Sequence, residues 1–264
     1  MQYEEYVERF LRYDRLSTVR SFASVSEGKR YPLLSASTAG RRTLLITAGF
    51  HGDETAGPLT LLEHFGEIAA YAQTRDIGLQ VYPCINPSGF EDNTRYNRSQ
   101  EAPNNDFLRY QVGPGEWVGE LLDARTPFTR YRVQDGGPKE TRAIIAELEQ
   151  QPTPAAALDI HQDPYLEDPL CYAYSFGSNG PFRPLLEASG KILSVARSFE
   201  VDDDLFSDED GLVKLHDGSV TDYYHRRGVP YTVALETTTA SAMPACHDVN
   251  LIWIKGFIDL CARQ

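Results

Sequence analysis

Residues 46–57 read ITAGFHGDETAG and place His51, Asp53 and Glu54 directly after an apolar run. The preceding RRTLLITAGF (41–50) is a short β-rich segment ended by glycine, and GPLTLLEHFGEIAAYAQ (57–73) carries apolar residues at helical spacing. The pattern is strand, loop, helix. Three polar side chains therefore stand at the mouth of a buried strand, where an unpaired polar group is costly. An imidazole and a carboxylate three residues apart on a loop can turn to one point, and a distant histidine would complete three protein ligands with a fourth position open, the form of a catalytic zinc site.

Working outward, IGLQVYPCIN (77–86) is a second apolar run ending in the turn NPSG, and PAAALDIHQDP (154–164) is a third, ending in His161 and a proline. VPYTVALETTT (229–239) is the fourth and carries Glu236. Between the second and third lies PKETRAIIAELEQQ (138–151), a helix with proline at its start. Strands alternating with helices predict a single α/β domain over 1–264 whose mostly buried central sheet is covered by helices on both faces. An N-terminal helix and lead-in take up 1–40, the motif core runs over 44–240 and a C-terminal helix over 247–263. His51, Glu54, His161 and Glu236 then fall at C-terminal strand ends, the edge where ligands collect in such sheets.

Composition excludes several alternatives. With 38 acids against 25 bases, the formal charge is −13, which disfavours nucleic acid as a partner. MQYEEYVERFLRYDRLS (1–17) has no apolar core or cleavage site and reads as an amphipathic helix, not a signal peptide. No apolar run approaches the roughly 18 residues of a membrane span. Cys84, Cys171, Cys246 and Cys261 are scattered without CxxC spacing, so reduced thiols in a cytoplasm are expected. The acidic run EVDDDLFSDEDG (200–211) lacks the calcium-loop spacing and reads as a solvated loop. His64, His216 and His247 read as structural or solvated, since none has a partner in the pattern.

In this order and at these separations, AGFHGDETAG, INPSGFEDNTRYN, LDIHQDP and ALETT resemble the zinc carboxypeptidases of the M14 type and their bacterial relatives. The resemblance implies a zinc carboxypeptidase-like mixed sheet, one Zn²⁺ held by His51, Glu54 and His161, and Glu236 as the general base toward the attacking water. It also implies that Arg95 polarises the scissile carbonyl, a fixed guanidinium being a suitable stabiliser of the developing oxyanion. The family's Asn-Arg clamp for a substrate carboxylate is replaced here by Asn104-Asn105-Asp106-Phe107, so Asn104 and Asn105 take that place without a charge. Where the family has a tyrosine that closes over substrate, DGSVTDYYHRRGV (217–229) puts His225 by count, with Tyr223 and Tyr224 adjacent.

The expected activity is cleavage of a small peptide or an acylated amino acid by a zinc-activated water. Succinylglutamate desuccinylase and aspartoacylase, which share the HxxE…H site, give the alternative of N-acyl amino-acid deacylation. They carry a sizeable extra domain after the base, whereas HDVNLIWIKGFIDLCARQ (247–264) leaves room here for one helix and little more. A second alternative is a non-catalytic metal-binding module on the same fold, against which Glu236 and Arg95 speak, since a pure binding site has no need of a base.

Overall fold

In the computed structural model, which describes residues 1–104 and 106–264, the chain begins with helix α1 (Tyr3–Phe10), which buries Tyr3, Tyr6 and Phe10. The lead-in that follows is a hairpin, β1 (Thr18–Glu27) and β2 (Lys29–Ser37), turned at Gly28 in the left-handed region. β3 (Arg42–Ala48) leads through the HGDE loop into α2 (Ala56–Gln73), and β4 (Ile77–Tyr82) is followed by the short α3 (Pro87–Asp92). A small sheet of β5 (Leu108–Gly113), β6 (Glu116–Val118) and β7 (Arg130–Val133) precedes α4 (Lys139–Leu148). Next come β8 (Ala156–Asp163), β9 (Leu170–Ser175), α5 (Arg183–Ser189) and β10 (Ser194–Val195). The chain ends through β11 (Glu200–Asp202), β12 (Leu205–Phe206), β13 (Leu212–Val213), α6 (Val220–Arg226), β14 (Tyr231–Thr238) and α7 (Met243–Ala262).

Nine strands form one mixed sheet in the order β1-β2-β4-β3-β8-β14-β9-β10, with β13 pairing β9. Its centre, β4-β3-β8-β14, is parallel. Two-residue alternation divides these strands between two cores. Leu44, Ile46, Leu158, Ile160, Val233 and Leu235 pack with α2 and α7, while Leu45 and Ala157 pack with α4 and α6. Buried strands of this kind are nearly continuous apolar runs, so the polar residues within them stand out.

Two expectations are corrected. The lead-in holds a full edge hairpin as well as a helix. The acidic run is not simply a loop: β11 and β12 form a hairpin whose Val201 and Leu205 are buried.

Candidate active site and metal centre

The loop after β3 is shaped by glycine. Gly49 has φ +69°, and a Cβ there would lie 2.9 Å from Pro58 and 3.2 Å from the Cys84 backbone. Gly52 packs so closely on the Gly89–Phe90 backbone that a Cβ would lie 2.0 Å from the Gly89 carbonyl carbon. This contact ties the loop to the NPSG turn, where Asn86 Oδ1 accepts from Gly89 N–H at 2.9 Å and caps α3. The same junction fixes Arg95, whose carbonyl accepts from Gly52 N–H at 3.3 Å and from Asn86 Nδ2 at 3.2 Å.

His51, Glu54 and His161 meet as the spacing requires, and all three are buried. Glu54 Oε1 lies 2.6 Å from His51 Nδ1, and Oε2 lies 2.7 Å from His161 Nδ1. Arg95 donates to Glu54 Oε1 at 2.8 Å, and the Gln162 N–H donates to Oε2 at 3.2 Å. Burial alone would raise the Glu54 pKa, but the facing imidazoles of His51 and His161 outweigh it and hold it below the carboxylate range.

Behind His161 stands a residue that the motif reading missed. Asp159 Oδ2 lies 2.8 Å from His161 Nε2, and Thr47, paired with Asp159 across β3 and β8, donates to Oδ1 at 2.7 Å. The signal was present in LDIH, because residues two apart on a strand share a face. Donation from Nε2–H to Asp159 leaves Nδ1 as the ligand atom, the arrangement metal-binding histidines use. Two imidazole nitrogens and a carboxylate, with the tautomer of one ring fixed from behind, fit Zn²⁺.

Glu236 sits beside His161 in the β14–β8 register and opposite Tyr172 in β9. Its Oε2 is buried and has no hydrogen-bond partner among the described residues. Burial, then nearby Glu54 and Asp163, raise its pKa well above the usual range, against the pull of His161 and Arg95. The cleft around these groups is further lined by Asn104, Glu120, Tyr165, Tyr174, Asp202 and Asp217. Asn104 Oδ1 is buried without a partner among the described residues, and Asn105 lies outside them.

Of the other arginines near the NPSG segment, Arg98 points away from the cleft, to Asp92 at 2.6 and 2.7 Å. Arg109, paired with Asp106 at 3.1 Å, lines a recess with His51, Arg95 and Asn104. His225 and Tyr223 are not among the residues around His51 and Glu236. They lie on α6, where Tyr223 is buried against Phe107 and Arg227, and His225 stacks on Phe176 and His216 beside a separate pocket. Counting from a motif places His225 in the family tyrosine's position, but a helix turn carries it to another face.

A Shewanella denitrificans structure provisionally named a metallopeptidase superposes with TM-score 0.75 over 98% of this chain and 90% of its own, at 22% identity. The chain has the metallocarboxypeptidase fold. A metallo-carboxypeptidase from Burkholderia cenocepacia matches at TM-score 0.66 and 12% identity, covering 97% of this chain and 68% of that one. Bovine thrombin-activatable fibrinolysis inhibitor, solved in complex with tick carboxypeptidase inhibitor, matches at TM-score 0.62 and 15% identity, covering 99% and 95%. In sequence, residues 40–124 match the succinylglutamate desuccinylase/aspartoacylase catalytic domain family. No curated protein matches in sequence. The carboxypeptidase-like resemblance read from the motifs therefore holds, and no described helix is long and apolar enough to cross a membrane.

Proposed function

We propose that the chain is a zinc-dependent hydrolase that cleaves an amide bond next to a carboxylate-bearing residue, as a carboxypeptidase does. The observation that carries this reading is Glu236, whose unpartnered carboxylate oxygen shares one cleft with the His51–Glu54–His161 ligand set. A pure binding site would gain nothing from a buried base there. When bound by those three residues, zinc supplies Lewis acidity and lowers the pKa of water to about 7.

The remaining roles belong to side chains of this protein. Glu236 takes the proton of the attacking water and passes it to the leaving amine. Arg95 presents its guanidinium at the cleft and steadies the oxyanion that develops on the scissile carbonyl. Tyr165, 71% exposed at the rim and 5.5 Å from the Arg95 guanidinium, gives substrate an aromatic surface. Arg109, beside Asn104, supplies the charge that Asn104 and Asn105 lack and takes the substrate carboxylate.

Glu120, Asp163, Asp202 and Asp217 make the lining acidic, which favours neutral or basic peptides. Deacylation of an N-acyl amino acid is a second reading, supported by the family match over residues 40–124. The acidic lining weighs against its acidic substrates. Hydrolysis of blocked peptides with free C-termini, compared with their C-terminal amides and with N-acyl amino acids, tests the choice. Turnover of the peptides alone is expected, and turnover of the N-acyl amino acids alone would replace the first reading with the second.

A further inference from the structure

On the sheet face opposite Asp159 and His161, α2 and α7 pack side by side, and polar groups line part of their seam. Asn250 Nδ2 donates to Thr60 Oγ1 at 2.9 Å, and Lys255 bonds Glu67 at 2.5 Å. Beside these links stand Glu63 and His64 of α2 and His247 of α7, each with a ligand atom within 4.8 Å of the others. The His64 and His247 rings stand 5.4 Å apart, nearly perpendicular.

Neither ring is satisfied within this cluster. His247 Nδ1 is 3.7 Å from Glu63 Oε2 and His64 Nδ1 is 3.6 Å from Glu67 Oε2, both too long for a hydrogen bond. His247 is only 8% exposed, and its Nε2 is buried without a partner among the described residues. Two imidazoles and a carboxylate suit a late first-row ion such as Zn²⁺ far better than Ca²⁺ or Mg²⁺, which prefer all-oxygen sites. The Glu63 side chain is exposed and that of His64 half-buried, leaving both room to draw in around an ion.

We propose that Glu63, His64 and His247 form a second zinc site that ties α2 to α7, separate from the ligand set of the cleft. The ion would join the helix that follows the HGDE loop to the helix that follows the Glu236 strand, the two segments that deliver catalytic groups.

Metal-stripped protein titrated with Zn²⁺ alone, with bound metal counted after desalting, tests the site without reference to activity. The wild type is expected to take up two equivalents and His64→Ala one, with the second-site affinity weakened about ten-fold or more. His51→Ala/His161→Ala should also keep one, show a zinc-dependent rise in Tm, and lose both on adding His64→Ala. His247→Gln serves as the second probe from the other helix. Equal uptake by wild type and His64→Ala would overturn the proposal. So would a single wild-type equivalent that disappears in His51→Ala/His161→Ala. Because the readout is stoichiometry, absence of hydrolysis would count against the proposed activity and leave this site standing.

Discussion

His161 Nε2 lies 2.8 Å from Asp159 Oδ2, so the acid two residues upstream on the same strand fixes which nitrogen of the ring faces Glu54. Thr47 in the adjacent strand holds that acid in turn. The proposed metal centre thus extends through the sheet, to residues that are not themselves candidate ligands. Asp159→Asn preserves shape but removes the charged acceptor. Zinc affinity is expected to fall about 10–100-fold, with the fold retained. Unchanged affinity in a competition titration would show that the Asp159 contact is dispensable.

Glu236→Gln should leave zinc stoichiometry unchanged while kcat falls by about 10²–10⁴-fold, the range for loss of a general base. Metal analysis and steady-state kinetics on the same preparation check both halves. A variant that keeps its metal and its rate would remove Glu236 as the base.

Arg109→Ala is expected to raise KM about ten-fold or more for substrates with a free C-terminal carboxylate, with little change in kcat. C-terminally amidated analogues should not distinguish the variant from wild type. If the two substrate classes respond equally, Arg109 does not hold the carboxylate.

Asp217 lines the cleft with its carboxyl pushed up to about 7, from 3.8, by burial first and then by Asp222. The folded state therefore binds this proton more tightly than the unfolded chain between those two values. Its stabilising effect is full below about pH 4 and is lost as pH rises through 7. Asp217→Asn removes the penalty of ionisation, so its stability advantage over wild type should be absent near pH 4, grow up to pH 7 and level off above, at about 1–2 kcal/mol. Melting curves across that range would sink the idea if the difference between variant and wild type did not change with pH.

The central strands and the ligand set were legible because their signals are local. HGDE follows an apolar run ended by glycine, while LDIHQDP and ALETT place one polar group each at a buried strand end. What the sequence hid depends on three-dimensional pairing. Thr47 and Asp159 meet only through the β3–β8 register. The β1–β2 hairpin hides because β1 is half-exposed and lacks a continuous apolar run, while the buried stretch of β2 is interrupted by Pro32 and Ser35. His225 and Tyr223 were placed by counting along a motif, and the helical turn of α6 takes them to another surface. His64 and His247 are far apart in the chain, so only the α2–α7 packing joins them. The acidic run looked solvated by charge alone, yet Val201 and Leu205 alternate inward and set Asp202 at the cleft.

The most direct test of the account is hydrolysis of a panel of blocked peptides with free C-termini by protein of known zinc content, before and after chelation and zinc restoration. Release of the C-terminal residue that stops on chelation and returns with Zn²⁺ is the expected result. Turnover that persists in fully metal-free protein, or cleft ligands His51, Glu54 and His161 that take up no zinc, would contradict it.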